Sequence, residues 1–148
     1  MTNSEIYLNE VQKISERWEK RYDAVVTKSL FFLQINAALL TFLFLIGNQS
    51  DSVEFSTLRF PIVSLLISAI FSIITFLPLK IPEIQIGSIQ YDKIDNDDAK
   101  IIYDSLIYEY LKKINTLKTV YKVKLIFFCT SVVLVGVGIT FLALRLFS

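Results

Sequence analysis

The chain has 148 residues, a formal net charge of +1, 53% hydrophobic residues and a mean hydropathy of +0.54. That is room for one domain, and it is too apolar for an ordinary soluble domain of this size. The absence of histidine excludes Ser-His and Cys-His catalysis and the usual zinc ligand sets, and four scattered glycines (Gly47, Gly87, Gly136 and Gly138) exclude a phosphate-cradling loop.

The first 28 residues are charged throughout, with Glu5, Glu10, Lys13, Glu16, Arg17, Glu19, Lys20, Arg21 and Asp23 and no apolar h-region, so no cleavable signal peptide is expected. Thr2 and Glu5 make a capping-box pattern, with Asn3 and Ser4 as alternative caps. Tyr7, Val11, Ile14, Trp18, Tyr22, Val25 and Ser29 then recur at intervals of 4, 3, 4, 4, 3 and 4. This is an 11-residue repeat, close to the natural helical period, and predicts one stripe without left-handed supercoiling. No Gly or Pro interrupts residues 5–46, so the helix is expected to run on into the apolar segment that follows.

That segment, 29–47, contains no Asp, Glu, Lys or Arg, and neither do 60–79 and 125–144. Each is 19 or 20 residues long, and about 20 residues at ~1.5 Å rise cross the ~30 Å hydrocarbon layer. The sequence therefore predicts an all-α integral membrane protein with three transmembrane helices. The first span carries Gln34 and Thr41 on one face and Asn36 on another. The second carries Ser64, Ser68, Ser72 and Thr75 at intervals of 4, 4 and 3. The third carries Cys129, Val132, Gly136, Thr140 and Ala143 at 3, 4, 4 and 3. Small residues at such spacing let helices approach closely, and hydroxyls can bond across the contact. Gln34, Thr41, Ser64, Ser68, Ser72, Thr75, Gly136 and Thr140 are thus candidates for packing between spans or for lining a wet lumen. No charge lies inside a span, so an ion path or voltage sensor built on intramembrane charge is not expected. The lone Cys129 reads as a small packing residue.

Orientation follows from the basic residues. Residues 1–28 hold five of them and residues 80–124 hold eight, whereas the 48–59 loop holds only Arg59, beside Asp51 and Glu54. Both basic segments are expected in the cytoplasm, with the short acidic loop and the C-terminus outside. Pro78 and Pro82 close the second span, and Ile84, Ile86 and Ile89 suggest a brief extended piece in the 80–96 connector. The acidic turn at 92–98 lacks the Gly and terminal Glu of an EF-hand loop, so it reads as a solvated turn. Asn96, Asp97 and Asp98 then supply a helix cap for 97–124. Tyr103, Leu106, Tyr110, Ile114, Leu117 and Tyr121 follow at 3, 4, 4, 3 and 4, again an 11-residue repeat. With no helix breaker from 99 to 135, this helix is expected to enter the membrane directly. Two long cytoplasmic helices would then pair as a stalk, with Trp18, Tyr22, Tyr110 and Tyr121 in contact and aromatic surface left for neighbouring subunits. Lys28, Lys80, Lys122 and Lys124 are expected to anchor at anionic headgroups. Binding of an anionic second messenger is their second reading.

Arg21-Tyr22-Asp23 through Lys28-Ser29 entering the 30–46 span, and Tyr108 to Leu111 through Lys122-Val123-Lys124 entering the last one, resemble the small membrane effectors of bacterial anti-phage immunity. The nearest are the Pycsar transmembrane effectors and the related SLATT-type proteins. The resemblance implies an oligomeric effector of the bacterial inner membrane that stays quiet until triggered, then self-associates and disrupts the bilayer in abortive infection. The chain departs from these families in having no separate nucleotide-sensing domain, so sensing would fall to the stalk, the connector or a cytoplasmic partner protein. No nucleic-acid site or cofactor is expected. The rival expectation is a non-lytic anchor or regulatory subunit, or an immunity protein against a membrane-active toxin.

Overall fold

The computed structural model describes residues 3–49, 55–78 and 96–146. Lys80, Pro82, the extended piece near 84–89, residues 92–95 of the acidic turn and residues 50–54 of the 48–59 loop lie outside these residues. The described residues form three helices and no strand: α1 (Asn3–Gln49, 47 residues), α2 (Phe55–Phe76, 22 residues) and α3 (Asn96–Leu146, 51 residues). Each contains a segment long and apolar enough to cross a membrane. α1 and α3 are continuous because neither holds a proline, and the only glycine of α1 falls at its end. At ~1.5 Å per residue α2 is about 33 Å long, close to the thickness of the hydrocarbon layer. Its last turn is closed by the Leu77 N–H bonding the Ile73 carbonyl at 2.9 Å, after which Pro78 has no N–H to continue the ladder.

The chain divides into two compact units. The first comprises Met1–Asp23 and Leu79–Lys122, and its described part is a parallel pair made by the first half of α1 and the first half of α3. Long hydrogen bonds join Tyr103 to Glu5 (3.4 Å) and Gln12 to Tyr110 (3.3 Å), both 98 residues apart, which fixes the parallel register. An ion pair joins Lys113 and Glu19 at 2.6 Å. Trp18 meets Tyr121 edge to face, with centroids 5.7 Å apart. Arg21 and Lys118 lie 4.9 and 5.6 Å from the Trp18 ring centre, within cation–π range.

The inward-facing residues of this pair do not follow the expected 11-residue repeat. On α1 they are Leu8, Val11, Ser15, Trp18 and Tyr22, and on α3 Tyr103, Ile107, Tyr110, Ile114, Leu117 and Tyr121. The spacing is 3-4-3-4, a heptad, which suits side-by-side packing of two helices along one seam. Tyr7 and Ile14, expected on the stripe, are exposed, and Ser15 and Ile107 take inward positions instead. Aromatic and aliphatic residues drew the expected stripe toward Ile14, while a small buried Ser15 was invisible to a count of apolar residues.

The second unit comprises Ala24–Pro78 and Val123–Ser148. Here α1, α2 and α3 pack as an up-down-up bundle, for Ser29 and Asn36 meet Ser72 and Ser68 in antiparallel order, and Ser64 and Ser68 meet Leu134 and Ser131 likewise. The 3-4 spacing holds in this unit too, through Val25, Ser29, Phe32, Asn36, Leu39 and Leu43 on α1, and Lys124, Phe128, Ser131, Val135, Gly138 and Leu142 on α3. Gly138 lies where α3 packs closely on α2. A Cβ there would lie 3.5 Å from the Ser64 side chain and 3.7 Å from the Pro61 carbonyl.

Candidate functional site

The second unit is inside out by the standard of a soluble domain. Its outward residues are large and apolar, with Phe31 64% exposed, Ile126 65%, Val133 62% and Leu144 67%. Its interior holds Ser29, Asn36, Ser64, Ser68, Ser72, Thr75, Lys124 and Ser131, all buried. Polar side chains are removed from solvent only where something compensates their lost hydration.

The compensation is a chain of hydrogen bonds through all three helices. Ser131 of α3 is the hub, its hydroxyl 2.7 Å from both the Ser68 and Ser72 hydroxyls and 2.8 Å from the Ser68 carbonyl. Asn36 of α1 donates through Nδ2 to the Ser68 hydroxyl at 3.0 Å. Ser29 donates to the Ser72 carbonyl at 2.8 Å, and Ser64 to the Leu134 carbonyl at 2.7 Å. The Ser68 hydroxyl also lies 2.9 Å from the Ser131 carbonyl.

Each hydroxyl has one hydrogen to give. Ser68 and Ser131 each have the other's carbonyl and hydroxyl within reach, so their two hydrogens are shared among more acceptors than they can serve at once. Asn36 Oδ1 is the one buried side-chain nitrogen or oxygen without a hydrogen-bond partner among the described residues. Turning the amide end for end would exchange an unpaired acceptor for an unpaired donor.

Lys124 departs from its expected place among the headgroups. It is 1% exposed, and its Nζ donates to the Leu77 carbonyl at 2.8 Å, just past the C-terminal turn of α2, where the helix dipole favours a cation. Lys122 and Lys28, by contrast, are exposed. The bundle interior is therefore asymmetric along its length. From Lys124 to Ser68 its buried side chains are mainly hydroxyl, amide and ammonium; around Ser64 and beyond it they are Leu43, Leu58, Ile62, Leu65 and Val135. An apolar pocket of about 120 Å³ lies at this second end, lined by Leu39, Leu43, Pro61, Leu65, Gly138 and Leu142 among others.

Of the span residues singled out in the sequence, Ser64, Ser68 and Ser72 join the hydrogen-bonded chain. Thr75 is buried but bonds its own helix at the Phe71 carbonyl (2.9 Å). Gln34, Thr41, Gly136 and Thr140 are exposed, and the two threonines bond their own helices at Ala37 and Gly136. The small-residue stripe of the third span, Cys129 to Ala143, faces outward throughout. The inward face carries Ser131 and Gly138 in its place. Of the four aromatics expected in contact, Tyr22 is buried, and Trp18, Tyr110 and Tyr121 are half-buried in the first unit. The heptad phase set by Ser29, Asn36 and Ser131 was the signal that would have found the chain's other members.

No family model matches this sequence, and no curated protein and no solved structure is significantly similar to it.

Proposed function

We propose that this protein is an oligomeric effector of the bacterial inner membrane that permeabilises the bilayer when triggered, as in the anti-phage effectors its layout resembles. The observation that carries the reading is the inside-out second unit, apolar outside and lined within by hydroxyls, an amide and an ammonium. Serine and threonine are ordinary residues of helix contacts in a membrane, but this interior buries an amide and an ammonium as well. Eight buried polar side chains are the material of a wet passage once the helices separate or rearrange with neighbouring subunits. In this reading the charged halves of α1 and α3 stand in the cytoplasm, where a sensor protein or an anionic second messenger would act on them. The C-terminus lies outside, and Lys28, Lys80 and Lys122 sit at the headgroups.

The test is induced expression in a bacterial host with membrane potential and an impermeant dye followed together. Depolarisation and dye entry on triggering or overproduction support the reading. Cells that keep their potential under both conditions, or a strictly monomeric protein in detergent, would sink it. The non-lytic reading draws on a different fact. The seam's serine hydroxyls all bond within one chain, as a self-sufficient bundle requires. An immunity protein of that kind would be harmless on expression and protective against its toxin.

A further inference from the structure

The two flanks of the helix pair in the first unit carry opposite charge. The Lys113–Glu19 ion pair marks one of them, for Glu19 directly follows the inward Trp18 of α1 and Lys113 directly precedes the inward Ile114 of α3. In a parallel pair, residues that follow an inward position on one helix share a flank with those that precede one on the other. Glu16 and Asp23, which follow Ser15 and Tyr22, therefore join Glu19, and Glu109 of α3 lies on the same flank. The other flank takes Arg17 and Arg21, which precede Trp18 and Tyr22, with Lys118 and Lys122, which follow Leu117 and Tyr121. Arg21 and Lys118 reach the Trp18 ring together from this side. The flanks cannot neutralise each other within one chain, since the width of the helix pair separates them. Arg17 and Arg21 are like charges four residues apart, as are Lys118 and Lys122, and Glu19 and Asp23 opposite; each such pair is mildly unfavourable. None of Arg17, Arg21, Lys118, Lys122, Glu16 and Asp23 forms an ion pair among the described residues. Nearer the start of both helices the basic flank turns apolar, with Tyr7, Ile14, Tyr108 and Leu111 exposed by 40–67%. Its carboxylates, Glu10 and Asp104, are confined to that half, where the opposite flank presents half-buried Leu106.

We infer that the first unit is a two-sided contact for further copies of this chain, the Arg17-Arg21-Lys118 flank of one copy lying against the Glu16-Glu19-Asp23 flank of the next. A second copy is the occupant that fits, because it brings an acidic row at the same height along the helices as the basic one. The inference deepens the oligomeric reading above and rests on it. Spans held in one bilayer give every copy the same direction, so equal heights meet. Opposite potentials then attract, and the wrong pairings, basic on basic or acidic on acidic, repel. A contact between two different flanks leaves one flank of each kind open at the ends, so added copies build a ring or an open row rather than a closed dimer.

The experiment uses the full chain in phosphatidylcholine liposomes, with Cys129→Ala and dyes attached through Lys20→Cys, an exposed position that neither precedes nor follows an inward residue. Energy transfer between donor- and acceptor-labelled copies, followed against protein-to-lipid ratio, reads self-association. Arg17→Glu with Arg21→Glu makes both flanks acidic, and Glu16→Lys with Asp23→Lys makes both basic. Either double change should weaken association about tenfold or more. Mixing the two variants should restore it, as should all four changes in one chain, and restoration shows that the variants fold. Association of the unaltered protein should also weaken as salt rises. Absence of rescue in both the mixture and the fourfold variant would overturn the contact. So would an effect of the basic-flank changes alone that needs phosphatidylglycerol in the vesicle, because the flank would then hold an anionic lipid. Association that ignores every change would overturn the contact and leave the oligomeric reading standing, whereas a chain that never associates would sink both. Rescue together with an intact membrane potential in cells would support the contact and remove only the permeabilising step.

Discussion

Replacing Ser131 by Ala removes one oxygen and so tests the hub of the seam. The hydroxyl makes three contacts, at 2.7 Å to each of the Ser68 and Ser72 hydroxyls and at 2.8 Å to the Ser68 carbonyl. Interhelical hydrogen bonds in membrane proteins average about 0.6 kcal/mol and reach about 1.7, so three sum to roughly 2 kcal/mol. Part of this returns. The Ser68 hydroxyl can turn fully to the Ser131 carbonyl, already 2.9 Å away, and the Ser72 hydroxyl can bond the vacated Ser68 carbonyl four residues back in its own helix. The net loss is then about 1–2 kcal/mol. Thr140→Val is the matched control, because that hydroxyl is exposed and bonds only its own helix at the Gly136 carbonyl. It should change stability by less than about 0.5 kcal/mol. Reversible unfolding in mixed micelles with rising dodecyl sulfate, followed by helical circular dichroism, measures both. Ser68→Ala with Ser131→Ala should cost less than the sum of the two alone. If Ser131→Ala and Thr140→Val shift the midpoint equally, the seam contributes nothing to cohesion and the argument fails.

Lys124→Glu would bury a carboxylate beside the Leu77 carbonyl, so it should cost about 3–5 kcal/mol, whereas the same change at exposed Lys122 should be nearly silent by the same titration. The single tryptophan, Trp18, reports on the first unit. Tyr121→Ala should shift its emission to the red and lower stability by roughly 1–2 kcal/mol through the lost edge-to-face contact and packing. Glu19→Gln breaks the 2.6 Å pair with Lys113; both side chains keep solvent contact, so the loss should stay below about 1 kcal/mol and shrink in high salt. Gly138→Ala places its Cβ at ordinary contact distances of 3.5 and 3.7 Å and should be tolerated, while Gly138→Leu should force α2 and α3 apart and lower the midpoint by about 1–3 kcal/mol.

Three long helices were legible in the sequence because charge-free windows of 19 or 20 residues announce themselves without knowledge of packing. The serine row at 64, 68 and 72 was legible for a similar reason, since polar residues stand out in an apolar run. Which face of α1 and α3 turns inward was harder. In the second unit both the outward and the inward face are apolar enough to sit against lipid or helix, so hydropathy carries no phase, and the Gly136–Thr140 face was favoured over Ser131 and Gly138. In the first unit Ile14 outweighed Ser15 for the same reason. Lys124 read as a surface anchor because charge at a span boundary usually snorkels to the headgroups. In the fold its Nζ instead donates to the Leu77 carbonyl just past the end of α2, a partner that no local pattern around Lys124 announces.

A strict 3-4 spacing has a weakness: it looks the same after every seven residues, so α3 sliding past α2 by one heptad, about 10 Å, would meet an equivalent set of knobs and holes. The seam removes that degeneracy. After such a slip Lys124 or Gly138 would stand where Ser131 now meets Ser68 and Ser72, leaving either a charge among hydroxyls or two hydroxyls facing nothing. Ser131 therefore works as an address, admitting one axial alignment of the helices among several that shape alone would accept.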